Sequence, residues 1–166
     1  MGNSKLAFVF TFALVLLAAS VMLPPKSVQA APRTLTVPDD YPTIQAAVGN
    51  ASDGDTVYVK NGIYVGQDSD VWLSIDKSIS LVGEDNQQTI ICQPNPKAQR
   101  DCIIKVIVDS VTISGIHIQG NGAYGIKIAD DASPPRHIKV LNCFIEGCQG
   151  AIAAFGGYDI TIDGNY

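Results

Sequence analysis

A short apolar phrase returns through this chain about every two dozen residues. Val57-Tyr-Val59, Ile79-Ser-Leu-Val-Gly83, Val111-Thr-Ile-Ser-Gly115, Ile138-Lys-Val-Leu-Asn142 and Ile160-Thr-Ile-Asp-Gly164 can be laid under one another, at offsets of 22, 32, 27 and 22 residues. Most copies alternate apolar and polar positions and then end in Gly or Asn. Alternation of that length is a strand with one buried face, and a repeat of that period is a solenoid of stacked β-coils. The alternation sends Val111, Ile113, Ile138, Val140, Ile160 and Ile162 inward and Thr112, Lys139 and Thr161 to solvent. Five coils at the usual spacing would be roughly 24 Å long. Differences in coil length then fall to loops, with residues 84–101 and 129–136 as the two insertions. A second face repeats less cleanly, because Gly125-Ile-Lys-Ile128 and Gly150-Ala-Ile-Ala-Ala154 bring Ile126 to Ile152 only after a one-residue shift.

The first thirty residues read as a leader. Lys5 is the one charge before the apolar run Leu6–Ala19, Pro24-Pro25 follows, and Val28-Gln29-Ala30 suits a signal peptidase, which places cleavage after Ala30. The alternative is a retained anchor, although Leu6 to Leu23 gives only 18 residues for a crossing. The expected localisation is therefore secreted or at the cell surface. The remainder divides into a short strand and capping helix over 31–52 and coils over 53–166, the last of them incomplete. In the first part, Leu35-Thr-Val37 forms an edge strand, Asp40 stands at the N-cap with Pro42 in the first turn, and Ile44, Ala47, Val48 and Ala51 share one helical face through Asn50. Such a helix shields the first coil of a solenoid, whose end would otherwise expose an apolar section. The last copy stops at Asp163-Gly-Asn-Tyr166, so the open end is expected to meet further coils or another chain.

Charge narrows the partners. The whole chain has net charge −5, and residues 1–30 hold two lysines and no acids, leaving net −7 on the other 136. No basic cluster is present, which argues against nucleic acid as a partner and against polyanions unless a cation bridges the charges. All four cysteines, Cys92, Cys102, Cys143 and Cys148, follow the leader, and an even count on an exported chain favours disulfides. Cys92–Cys102 would pin the polar stretch between them and Cys143–Cys148 would close a loop around Gly147. Alternatively, Cys143 is a buried thiol in the column of Ile116, 27 residues earlier. Zinc is not expected from these spacings, and neither His117 nor His137 belongs to a ligand pattern.

Thr36-Val-Pro-Asp-Asp-Tyr-Pro-Thr-Ile-Gln-Ala-Ala-Val48, Asp53-Gly-Asp-Thr-Val-Tyr-Val59, Gly62-Ile-Tyr64 and Ile79-Ser-Leu-Val-Gly83 together resemble the opening of the pectin-lyase-like superfamily, and most of all that of pectinesterases and secreted β-helix proteins. The resemblance covers nearly all of residues 34–166 and implies an all-β fold, a right-handed single-stranded parallel β-helix with an N-terminal capping helix. It implies no activity, because that scaffold hosts many. The pectinesterase Gly-x-Tyr-x-Glu motif begins with Gly62-Ile63-Tyr64, but Gly66 stands in place of the Glu; Gln149-Gly150-Ala151-Ile152 lacks the acid of Gln-Asp-Thr-Leu. No paired carboxylates for nucleophile and acid/base are found, so no catalytic residue is assigned.

Superfamily lyases use acidic Ca²⁺ ligands with an Arg or Lys base. By that resemblance Asp130 and Asp131 are candidate substrate or Ca²⁺ contacts and Arg136 a base or carboxylate clamp; the plainer reading is a solvated turn. Trp72, outward if Val71, Leu73 and Ile75 face in, would stack on a sugar ring, as would Tyr64, or else would pack under a loop. Copper is not expected, since both methionines lie in the leader and the two histidines are far apart. Asn50-Ala51-Ser52 is a glycosylation sequon or simply the end of the helix. The expected function is an exported β-helix module facing polysaccharide or cell-wall glycan without its own catalysis and with no obligatory cofactor. The alternative is the N-terminal part of a polysaccharide lyase, hydrolase or esterase whose active residues lie beyond residue 166.

Overall fold

The computed structural model describes residues 31–66, 71–93, 102–129 and 133–166. The leader expected over 1–30 lies outside them, as do Asp130 and Asp131. The described chain is a parallel β-helix with one short helix. It runs β1 (Thr34–Val37), α1 (Ile44–Asn50), β2 (Thr56–Val59), β3 (Gly62–Val65), β4 (Val71–Ile75), β5 (Ser80–Gly83), β6 (Thr89–Cys92), β7 (Cys102–Val106) and β8 (Thr112–Ser114). It continues through β9 (His117–Gln119), β10 (Tyr124–Ala129), β11 (Arg136–Leu141), β12 (Phe144–Glu146), β13 (Gly150–Phe155) and β14 (Tyr158–Asp163). Three parallel sheets result: sheet I, β1-β2-β5-β8-β11-β14; sheet II, β3-β6-β9-β12; and sheet III, β4-β7-β10-β13. The described strands make four complete coils, one fewer than the five expected, with β1 before them and β14 after. Residues 84–101 are not one insertion either, because β6 lies within that stretch.

Sheet I carries the repeating phrase. Val111, Ile113, Ile138 and Val140 are fully buried, and Ile138 and Val140 pair in register with Ile160 and Ile162. Each buried aliphatic side chain contributes roughly 1.5–3 kcal/mol, so this column is a main source of stability. The first offset is different from the expectation: Val57 pairs with Leu81, not Ile79. A two-residue slip leaves the same face inward, so alternation alone does not detect it.

In the later copies the Gly or Asn that ends the phrase follows the sheet I strand and takes a left-handed turn. Gly115, Asn142 and Gly164 hold φ of 66°, 51° and 63° and stack one above another. That left-handed conformation costs other L-residues steric energy, and Gly and Asn are the residues that tolerate it.

Sheet III is less regular in its burial. In β4, β7 and β10 two or three consecutive residues are buried, Trp72-Leu73, Cys102-Ile103-Ile104 and Gly125-Ile126, where a flat strand would alternate. Ile126 nevertheless pairs with Ile152, the shifted register expected from sequence.

The helix starts later than expected. Thr43 is its N-cap, with Oγ1 accepting from the Ala46 N–H at 3.1 Å, while Asp40 accepts from the Thr36 N–H at 2.7 Å in the preceding turn. Pro42 disfavours helical geometry at Tyr41, which holds the start back. Ile44, Ala47 and Val48 pack inward on the first coil against β1, β2 and β4. Lys77 Nζ donates to the Val48 and Gly49 carbonyls at 3.2 and 2.6 Å, satisfying the helix end.

Candidate functional site

The outer face of sheet II carries a mixed set of apolar and polar side chains. Its inner column, Ile91, Ile118 and Ile145, faces the core, which turns the flanking residues outward. One outward column therefore reads Ile63, Ile90, His117, Phe144, and the next reads Val65, Cys92, Gln119, Glu146. The aliphatic pair at one end gives way to hydrogen-bonding groups at the other.

Those groups form a connected set. His117 is only 9 % exposed although it faces outward, because its ring packs edge-on against Phe144 at 4.8 Å between centroids. Its Nε2 lies 3.1 Å from Glu146 Oε1, and Gln119 Nε2 donates to the same oxygen at 3.1 Å. Glu146 Oε2 takes neither of these bonds. The buried His117 Nδ1 has no hydrogen-bond partner among the described residues.

Beside this set opens a pocket of about 380 Å³ lined by Cys92, Gln93, Gln119, Gly120, Asn121, Glu146 and Gly147. Gln93, Gly120 and Gly147 follow the paired ends of β6, β9 and β12, so the pocket sits where the chain leaves sheet II. Gln93 is 8 % exposed and its Nε2 has no hydrogen-bond partner among the described residues. A buried amide N–H without an acceptor costs the fold free energy. Among the described residues the lining presents amides, a thiol and a carboxylate.

Among the described lining residues Glu146 is the one carboxylate, where a nucleophile and acid/base pair would take two. Among the described residues no group of three or more His, Cys, Asp or Glu is gathered as a metal site would require.

The residues singled out from sequence lie elsewhere. Arg136 opens β11 in sheet I; its guanidinium sits 5.5 Å from the ring centre of Tyr158, and its N–H donates to Asp109. His137 beside it pairs through Nδ1 with Asp159, away from His117. Trp72 is in sheet III and is 4 % exposed, with its neighbour Leu73 buried as well. Gly66 lies directly on its indole, and a Cβ at position 66 would overlap the ring. Trp72 therefore packs the core and offers no face to a sugar. Tyr64 is held as well, its hydroxyl donating to the Lys60 carbonyl at 2.8 Å.

Neither expected disulfide is formed: Cys92, Cys102, Cys143 and Cys148 are not bridged to one another. Cys92 ends β6 in sheet II, whereas Cys102 opens β7 in sheet III and is buried. Cys143 occupies the column of Ile116, fully buried, with Sγ 3.4 Å from the Leu141 carbonyl; Cys148 Sγ fills the space beside Gly120 and Gly125. Burial pushes the Cys92, Cys143 and Cys148 thiols above their ordinary range.

The pocket was not found from sequence, yet a signal exists. Cys92, Gln119 and Glu146 recur at the same 27-residue spacing that repeats in the core, one position beyond each inward Ile.

No family model and no curated protein matches the chain. A solved structure of a PL6 family alginate lyase mutant matches with 18 % identity and a TM-score of 0.48, over 68 % of this chain and 15 % of that one. The chain thus spans about 15 % of that enzyme's length, and a likeness of that size says nothing of substrate.

Proposed function

We propose that this chain is an exported carbohydrate-binding β-helix module that holds glycan against the outer face of sheet II and does no chemistry on it. The observation that carries the reading is the pocket beside β9 and β12, whose described lining combines the Gln93, Gln119 and Asn121 amides with the Glu146 carboxylate. Sugar hydroxyls both donate and accept, so one hydroxyl-rich ring can satisfy an amide N–H and a carboxylate oxygen together. The volume lies at the small end of the range for small-ligand sites, about 300–1,000 Å³. Export rests on the leader pattern of residues 1–30, and absence of catalysis on the glycan rests on the single carboxylate among the described lining residues.

The test is retention of the full chain by immobilised polysaccharides and a glycan array, with reducing ends and unsaturated uronate products measured in parallel. Binding to a subset of glycans above an acidic control protein is expected, with neither product formed. No binding to any glycan sinks the reading, and product formation shows an enzyme instead.

A further inference from the structure

We infer that Ser110, His137 and Asp159, at the entry to sheet I, form a nucleophile–base–carboxylate set that takes small carboxylic esters and transfers their acyl group to water. The site is separate from the sheet II pocket and does not depend on the glycan reading. The coil register brings the three residues together. Asp159 stands opposite His137, between the pairs Arg136–Tyr158 and Ile138–Ile160. Ser110 stands opposite His137 on the preceding coil, since its N–H donates to the Arg136 carbonyl at 2.8 Å and Thr112 pairs with Lys139. Neighbouring strands lie about 4.8 Å apart, so each of the three is one coil step from the next.

Their backbones match as well. Ser110, His137 and Asp159 hold φ of 60°, 57° and 57°. Residues that share a conformation in one stacked column send their side chains out side by side. A left-handed φ is costly for residues other than Gly, and such costs cluster at functional sites. Here the cost recurs in one column. The His137 and Asp159 side chains are 62 and 68 % exposed and Ser110 is exposed too, so a small acyl group reaches the set from solvent.

The contact inside the set has the polarity that acyl transfer needs. His137 Nδ1 lies 2.5 Å from Asp159 Oδ2. A neutral imidazole that donates Nδ1–H to a carboxylate keeps its lone pair on Nε2, the atom that takes the proton of a serine nucleophile. His117 is arranged the other way, with Nε2 on Glu146 and Nδ1 buried. The hydrogen bond between nucleophile and base in such sets is often completed only with substrate in place. Lys139 is exposed two residues beyond His137 on the same outward face. Its ammonium would stabilise the negative charge that develops on the carbonyl oxygen.

The reaction balances with water alone. Ser110 Oγ bonds to the acyl carbon as its proton passes to His137 Nε2. The ester C–O bond breaks and the alcohol leaves with that proton. Water then attacks the acyl-serine and gives a proton to Nε2, which returns it to Ser110 as the carboxylic acid departs. Asp159 touches no reacting atom and is a positioning residue.

The test treats the full chain with a fluorophosphonate, which phosphonylates activated serines, and separately with 4-nitrophenyl acetate. One adduct at Ser110 is expected by mass spectrometry, with nitrophenol release roughly ten-fold or more above equimolar free imidazole. Ser110→Gly and His137→Asn place residues that tolerate the left-handed turn, so unfolding midpoints should hold while both signals vanish. Asp159→Asn should lower kcat about ten-fold or more with KM and the midpoint unchanged, a split that a merely structural role would not give. Lys139→Gln should lower kcat several-fold.

A label spread over other serines overturns the nucleophile. Hydrolysis that survives Ser110→Gly but not His137→Asn shows an imidazole acting alone and overturns it equally. An unchanged kcat in Asp159→Asn removes the carboxylate from the set. Midpoints that fall in step with activity in every variant show a structural column and sink the proposal, while glycan binding on sheet II stands or falls on its own array.

Discussion

Asp55 shows what one residue can carry in a fold of this kind. It sits below Ile79 in the inward column of sheet I, where later coils place Val111, Ile138 and Ile160. A carboxylate there needs partners, and it has them. Its oxygens accept from the Arg33 N–H at 2.8 Å, from Arg33 Nη2 at 2.7 Å and from the Ser52 N–H at 2.9 Å. The hydrogen bonds from Arg33 hold its pKa down to about 2, against an ordinary 3.8. The unfolded chain therefore binds a proton at Asp55 before the folded chain does, so this contribution is complete above about pH 4 and is lost as pH falls toward 2. Asp55→Asn should lower the urea midpoint at pH 6, and the gap to the parent should shrink between pH 4 and pH 2. A gap of equal size at pH 6 and pH 2 would mean that the carboxylate charge plays no part.

At the scale of the element, the turns that leave sheet I are set by backbone geometry. Asn142 stands between Gly115 and Gly164 in one left-handed stack. Glycine at 142 keeps that conformation open, whereas a β-branched side chain does not, so Asn142→Gly should be nearly neutral. Asn142→Val should cost about 1–3 kcal/mol in chemical unfolding, and equal losses in the two variants would refute a conformational cause. These turns were legible in sequence because the constraint acts on a single residue and selects Gly or Asn. Sheet I was legible for a similar reason: its strands are straight enough for alternation to report the inward face. The burial of Trp72 was hidden, since two neighbouring buried residues in β4 break the alternation that separates core from solvent. The pocket was hidden for another reason. Gln93, Gln119 and Glu146 are ordinary polar residues one by one, and only the coil register brings them together. The candidates Asp130, Asp131 and Arg136 followed from the resemblance to superfamily lyases, and Asp130 and Asp131 lie outside the described residues.

Across the whole molecule, the protection given to the inward column depends on having a coil on each side. Ile113 pairs with Leu81 on one side and Val140 on the other and is fully buried. Ile162 points inward in the same column but pairs only with Val140 among the described strands, and it is 52 % exposed. Solenoid stability is approximately a sum of coil terms and neighbour interfaces, so identical substitutions should have unequal effects along the axis. Ile113→Ala leaves a cavity between two packed coils and should cost about 2–5 kcal/mol. Ile162→Ala removes surface that is already half in water, and its cost should be under about 1 kcal/mol. Both variants can be compared with the parent by urea unfolding at one pH, reading the single tryptophan, Trp72, whose burial near the first coils reports on the core. If Ile162→Ala proved as costly as Ile113→Ala, the last coil would have to be covered in solution, by self-association or by another segment. Sedimentation at two protein concentrations would separate those cases, because only self-association makes the cost concentration-dependent.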